Sequence, residues 1–137
     1  MTKKWKQPLL TTGRIKPHEI ISENTDIQKP FFSLEHMIDN FCVKACKMEE
    51  RAQFAEALYK RGKLTWQEIK QSHRHGLGLE KISRGSIKVG LPSVVTEDVN
   101  LIAFRCFGKM PMVGYRQGRT FYVLWLDPAG KVYDHGS

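Results

Sequence analysis

The segment 120–126, Thr-Phe-Tyr-Val-Leu-Trp-Leu, constrains this chain more than any other. Its apolar residues fill both alternations of an extended chain, so as a strand it must be covered on both faces. It predicts a central strand. Turn signals bracket it. Gln117-Gly118 has the form of a two-residue hairpin loop, and in Asp127-Pro128-Ala129-Gly130 Pro presets φ while Gly accepts a left-handed conformation. Neighbouring stretches continue the pattern. Ile102, Phe104 and Cys106 alternate with Leu101, Ala103 and Arg105; after a turn at Gly108-Lys109, residues 112–116 form the next strand; Lys131-Val132-Tyr133 forms a short last one.

Upstream the period changes to that of a helix. In residues 47–61, Met48, Ala52, Ala55 and Leu58 form a stripe with Phe54 and Tyr59 beside it. Glu49 and Glu50 suit the N-terminal dipole, Lys60 and Arg61 the C-terminal one, and Gly62 stops the helix. Thr65-Trp66-Gln67-Glu68 is a capping box that opens a second, short helix ending near Ser72, with Trp66 and Ile69 on its buried face. In residues 31–38, Phe32, Leu34, His36 and Ile38 alternate as in a strand, although Ser33 could equally cap a short helix. Residues 73–92 show no clean period and read as a loop with brief turns. Residues 1–30, interrupted by Pro8, Pro17 and Pro30, read as an irregular arm ahead of one α+β domain over 31–137.

With 137 residues and 41% hydrophobic content, the chain can build one real core, which excludes wholesale disorder. No run approaches the length of a membrane span, and no apolar segment follows the basic N-terminus, so neither membrane nor secretory signal is expected. Three Cys do not imply a disulfide framework, and a cytoplasmic setting is the expectation. The formal net charge of +8 favours a polyanionic partner. Its distribution says more. Residues 1–30 and 73–92 each carry a net +3, while 31–72 and 93–137 each carry +1.

The basic stretch 73–92 holds the best candidate chemistry. His73, Arg74 and His75 are followed at once by Gly76 and Gly78. Glycines let backbone amides approach a phosphate, imidazoles move protons near neutral pH, and cations stabilise charge on a phosphorus centre. Arg74, Lys81, Arg84 and Lys88 are candidate RNA-binding residues. Arg105 and Arg116 are the charges within the predicted strands, and Tyr133 and His135 lie at the end of the sheet. The bland alternatives are a solvated loop for 73–92 and edge-snorkelling for the two arginines. Cys42 and Cys46, with His36 before them, fall short of a zinc set, and burial is the simpler reading. No P-loop, Rossmann fingerprint, serine elbow or carboxylate pair is present, which argues against nucleotide hydrolysis and classical hydrolases.

A first strand, two helices and an antiparallel meander over about residues 31–135 resemble the RelE/ParE superfamily of bacterial toxins. The segments Leu64-Thr65-Trp66, His73-Arg74-His75-Gly76-Leu77-Gly78, Phe104-Arg105, Met112-Val113-Gly114-Tyr115-Arg116, Phe121 to Asp127 and Tyr133-Asp134-His135 look like a group of uncharacterised bacterial proteins with such a meander. The resemblance implies a RelE-like sheet of about four antiparallel strands with two helices packed on one face. It also implies a toxin of a toxin–antitoxin pair that cuts mRNA, often on the ribosome, with Arg, Lys, His and Tyr on the open face of the sheet and without metal; some members instead poison gyrase. This chain departs from the smaller toxins by its N-terminal arm and by the lack of an obvious helix after the last strand.

The expected function is thus a metal-independent endoribonuclease that needs no cofactor and uses the RNA 2′-hydroxyl as nucleophile. His75 or His135 would act as base, Arg105, Arg116 and Lys81 would hold the phosphate, and His73 or Tyr133 would act as acid. Expected partners are RNA and a cognate antitoxin. The alternatives are a non-catalytic nucleic-acid-binding protein and an interaction module acting on a host enzyme.

Overall fold

The structure is a computed structural model that describes residues 24–74, 76–106 and 110–134. Five strands form one sheet: β1 (Phe31–Ser33), β2 (Leu79–Ile82), β3 (Leu101–Arg105), β4 (Pro111–Gln117) and β5 (Thr120–Leu126). Their order is β1-β5-β4-β3-β2. β1 runs parallel to β5 and every other pairing is antiparallel. Two helices, α1 (Met48–Arg61) and α2 (Trp66–Gln71), complete an α+β fold. Among the described residues, no helix is long and apolar enough to cross a membrane.

The apolar segment that opened the sequence reading is central as expected. β5 sits between β1 and β4, and Phe121, Val123, Leu124, Trp125 and Leu126 are all buried. On one face, Phe54 and Ala57 of α1 and Trp66 and Ile69 of α2 pack on Ile102, Phe104, Met112, Phe121, Val123 and Leu126. The second face carries Leu101, Ala103, Val113, Tyr115, Leu124 and Trp125. It is not open. Residues of the irregular segment between β2 and β3, among them Ile87, Val89, Val94, Val95 and Val99, cover it together with Val132 and Tyr133. Strands apolar on both sides leave no other solution.

Several local expectations meet the structure directly. α1 spans Met48–Arg61 and α2 starts at Trp66, where Thr65 Oγ1 accepts the Glu68 amide at 3.1 Å and the Thr65 amide donates to Glu68 Oε1 at 2.9 Å. The buried face of α1 is not the expected stripe: Met48, Ala52 and Ala55 are exposed, and Phe54, Ala57 and Arg61 are buried, because the Phe54 ring offers the core more apolar area than the alanines do. Residues 31–33 are a strand, shorter than the alternation suggested.

Four details differ. The sheet has five strands rather than about four, because Leu79–Ile82, assigned to a loop, is an edge strand on β3. Only four residues long and flanked by glycine and charge, it hides its alternation, with Leu79 on the helical side and Ile82 on the other. The sheet is mixed because β1 joins it in parallel. The hairpin loop is Gly118-Arg119, one residue later than expected, since Gln117 pairs with Thr120 and Gly118 takes φ +63°. The last strand reduces to one antiparallel bridge between Tyr133 and Ile87.

Residues 24–30, assigned to the arm, are docked on the domain. Asp26 accepts Arg116 Nη2 and Lys70 Nζ, each at 2.7 Å. The Trp66 amide donates to the Gln28 carbonyl at 3.0 Å, and Arg119 Nε to the Lys29 carbonyl at 3.0 Å. Residues 1–23 lie outside the described residues.

Candidate functional site

At the β3 end that pairs with the start of β4, a small cleft of about 20 Å³ is lined by Arg74, Glu80, Ala103, Phe104, Arg105, Pro111 and Tyr133. Four elements meet there. Arg74 comes from the connection between α2 and β2, Glu80 from β2, Arg105 from the end of β3, and Tyr133 from the segment after β5. Antiparallel register fixes the sides: Glu80 stands opposite Ala103 and so shares the face that Arg105 extends.

Each member has a physical reason for its position. Tyr133 is buried and held by the turn after β5. The buried carboxylate of Asp127 accepts the Lys131 amide at 2.7 Å and the Val132 amide at 2.9 Å, which closes that turn one residue before Tyr133. Gly130 supports the turn with φ +69°. Arg74 and Glu80 form an ion pair at 3.6 Å. Arg105 is half-buried, and its Nε is enclosed and makes no hydrogen bond. Burial, then the nearby Glu80 carboxylate, push the Tyr133 phenol above its usual range; the Arg105 guanidinium pulls the other way and loses. Tyr133 therefore remains a protonated donor well past neutrality.

The glycines act differently from the expectation that their amides would face a phosphate. The amides of Gly76 and Gly78 both donate to the His73 carbonyl at 2.9 Å. The Gly76 carbonyl accepts Arg61 Nη2 at 3.1 Å. Gly78 lets the chain fold tightly over the end of α2, where a Cβ would collide with the Ser72 carbonyl. The amides of Gly76 and Gly78 are thus spent on bonds within the loop.

Of the residues singled out in the sequence, Arg74, Arg105 and Tyr133 meet in this cleft. Arg116 does not join them. It lies on the helical face and five residues along β4 from Pro111, the partner of Arg105, or roughly 17 Å of strand. There it stacks over Trp66 at 4.2 Å, donates to Asp26 Oδ1 at 2.7 Å, to Thr25 Oγ1 at 2.9 Å and, through Nε, to the Gly118 carbonyl at 2.7 Å. Its role here is to dock residues 24–30. Lys81 stands opposite Ile102 and so belongs to the helical side of the edge strand. Arg84 closes its own loop, donating to the Val95 carbonyl at 3.3 Å and the Thr96 carbonyl at 2.8 Å. Lys88 is exposed beside the bridge to the C-terminal segment, where its amide donates to the Val132 carbonyl at 2.7 Å. His73 is exposed at the start of the loop. His75 and His135 lie outside the described residues; by sequence they follow Arg74 directly and Tyr133 by two positions.

Glu80 is a member of the cleft that the sequence did not single out. Recognising β2 as a strand in register with β3 was the signal that would have found it. The cysteines are free, with Cys46 and Cys106 buried and Cys42 half-buried. Among the described residues, no group of three His, Cys, Asp or Glu side chains stands together as a metal site would.

The cleft thus combines two guanidinium groups, a protonated phenol and a carboxylate on one face. Such a set can hold an anion, donate a proton and accept one. Searches of the chain against family models, curated proteins and solved structures found no match.

Proposed function

We propose that this protein is a metal-independent endoribonuclease of the toxin type, resembling the RelE/ParE superfamily, and that it acts at the cleft of Arg74, Glu80, Arg105 and Tyr133. The observation that carries this reading is the convergence of these side chains from four elements. The unpartnered Arg105 Nε supports it, because an enclosed donor without an acceptor gains a hydrogen bond when a phosphate oxygen arrives.

The reaction is a transphosphorylation within the RNA. A base takes the 2′-hydroxyl proton, and the 2′-oxygen attacks the adjacent phosphorus. The bond from phosphorus to the 5′-oxygen breaks, and an acid protonates that leaving oxygen, which yields a 2′,3′-cyclic phosphate and a free 5′-hydroxyl. Arg105 carries the charge that builds on the non-bridging oxygens. Tyr133, kept protonated by burial and by Glu80, is the acid. The base is the Glu80 carboxylate, held by Arg74, with His75 and His135 as the competing candidates from the adjoining chain.

The pH dependence of kcat separates the candidates for the base. A carboxylate base places the acid limb at lower pH than an imidazole base does. With Glu80 as base, Glu80→Gln abolishes cleavage while His75→Ala retains most of it. The reverse pattern transfers the role to His75. Binding of single-stranded RNA that weakens with salt, without any cleavage, would reduce the protein to the non-catalytic alternative.

A further inference from the structure

Arg61, the last residue of α1, is only 1% exposed. A buried guanidinium is costly unless its charge and its N–H groups are met. Among the described residues, no carboxylate forms an ion pair with it; backbone carbonyls take the donors of Nη1 and Nη2, while the buried Nε makes no hydrogen bond. Nη1 donates to the Ala57 carbonyl at 3.2 Å, and Nη2 donates to the carbonyls of Gly76 at 3.1 Å and Arg105 at 2.8 Å. The plane lies over the Phe104 ring at 5.0 Å. The nearby Cys106 thiol offers no counter-charge, since burial pushes it up to about 12.

An apolar side chain of similar volume would fill this space without burying a charge. What the guanidinium adds is a link. A single nitrogen joins the carbonyl two residues after Arg74 to the carbonyl of Arg105 itself. These are the two segments that bring the arginines of the cleft together, one a loop and the other a strand end.

We infer that Arg61 is a positioning residue of the cleft, which sets the spacing of Arg74 and Arg105 from the core without touching the ligand. This inference rests on the reading of the cleft as an RNA-phosphate site. Arg61 is a remote determinant of RNA affinity, and it acts through Arg105.

A double-mutant cycle on the full chain tests this. Arg61→Lys keeps the charge but loses the rigid guanidinium plane that holds Nη2 between the two carbonyls while Nη1 is anchored on Ala57. The binding of a mixed-sequence single-stranded RNA oligonucleotide is measured for wild type, Arg61→Lys, Arg105→Ala and the double variant, with thermal unfolding of each. Hydrogen exchange is followed across residues 73–78. The expected result is about tenfold weaker binding for Arg61→Lys in the wild-type background, an effect of less than about twofold in the Arg105→Ala background, and faster exchange in 73–78. Equal weakening in both backgrounds would show that Arg61 serves stability alone and would overturn the inference. If Arg61→Lys does not fold, Arg61→Gln, which is neutral and retains a single donor nitrogen on a shorter side chain, replaces it in the cycle. If wild-type protein neither binds nor cuts RNA, the functional reading falls by itself. The exchange measurement then decides the tether, and unchanged protection of 73–78 rejects it.

Discussion

Tyr133 shows how much a single side chain can owe to its surroundings. Burial and the Glu80 carboxylate both favour its neutral form, and the turn sealed by Asp127 fixes where its backbone runs. Tyr133→Phe keeps the ring and removes only the hydroxyl. It should lower kcat for RNA cleavage by about 10²-fold or more with little change in KM, measured by steady-state kinetics. A matching loss in KM alone would make the hydroxyl a binding group. The cysteines offer a separate check on the core. Cys106 is 1% exposed with its thiol pushed up to about 12, and Cys46 is 5% exposed with its thiol raised mainly by burial. An alkylating reagent added to native protein should therefore modify Cys42 first, with Cys46 and Cys106 reacting only on unfolding. Mass spectrometry of the labelled peptides reads this directly, and early labelling of Cys106 would contradict the packing around Arg61.

At the scale of elements, the contact between the 24–30 segment and the end of the β4–β5 hairpin is electrostatic. Hydrogen bonds from Lys70 and then Arg116 hold the Asp26 carboxyl below its ordinary range. A carboxylate favoured in this way contributes stability above the ordinary carboxylate range and loses it as pH falls through the lowered folded-state value. Asp26→Asn should remove that acid-side dependence and speed proteolysis near residue 28 at neutral pH. Thr65→Ala should cost about 1 kcal/mol in denaturant unfolding, because the Glu68 amide loses the Thr65 hydroxyl that accepts it. These elements also mark where sequence reasoning works. α1 was legible as a helix from its charged ends and the Gly62 stop, but its buried face was not, since Met48, Ala52 and Ala55 of the expected stripe are exposed and Phe54 and Ala57 are buried. The cap of α2 and the double-sided apolarity of β5 are local signals, and both elements were legible. β2 was not, because a four-residue edge strand acquires its meaning from β3. Arg105 and Tyr133 could be picked out by residue type, but Glu80 could not, since its side of the sheet depends on that pairing. Arg116 misled for the same reason: nothing local says which face a strand arginine takes, and Asp26, its partner, lies 90 residues away in the chain.

For the whole molecule, the distribution of charge matters more than the net +8. Much of the excess is committed internally. Arg61 lies in the core, Arg84 closes a loop, and Arg116 and Arg119 hold residues 24–31, Arg119 stacking at 3.9 Å over Phe31. The cleft itself contributes two cations, one of them paired with Glu80. RNA affinity should therefore weaken with salt at a modest slope, about −0.7 for each phosphate neutralised, and Arg105→Ala should reduce the slope by about one such step. Binding that ignores salt would point to a protein partner instead. The most direct test of the account is the product of the reaction. Purified full-length protein is incubated with single-stranded RNA, with ribosomes and without, in the presence of EDTA, alongside Arg105→Ala. The account predicts fragments ending in 2′,3′-cyclic phosphate from wild type in EDTA, and a loss of about 10²-fold or more in Arg105→Ala. Intact RNA under every condition, or full cleavage by Arg105→Ala, would contradict it.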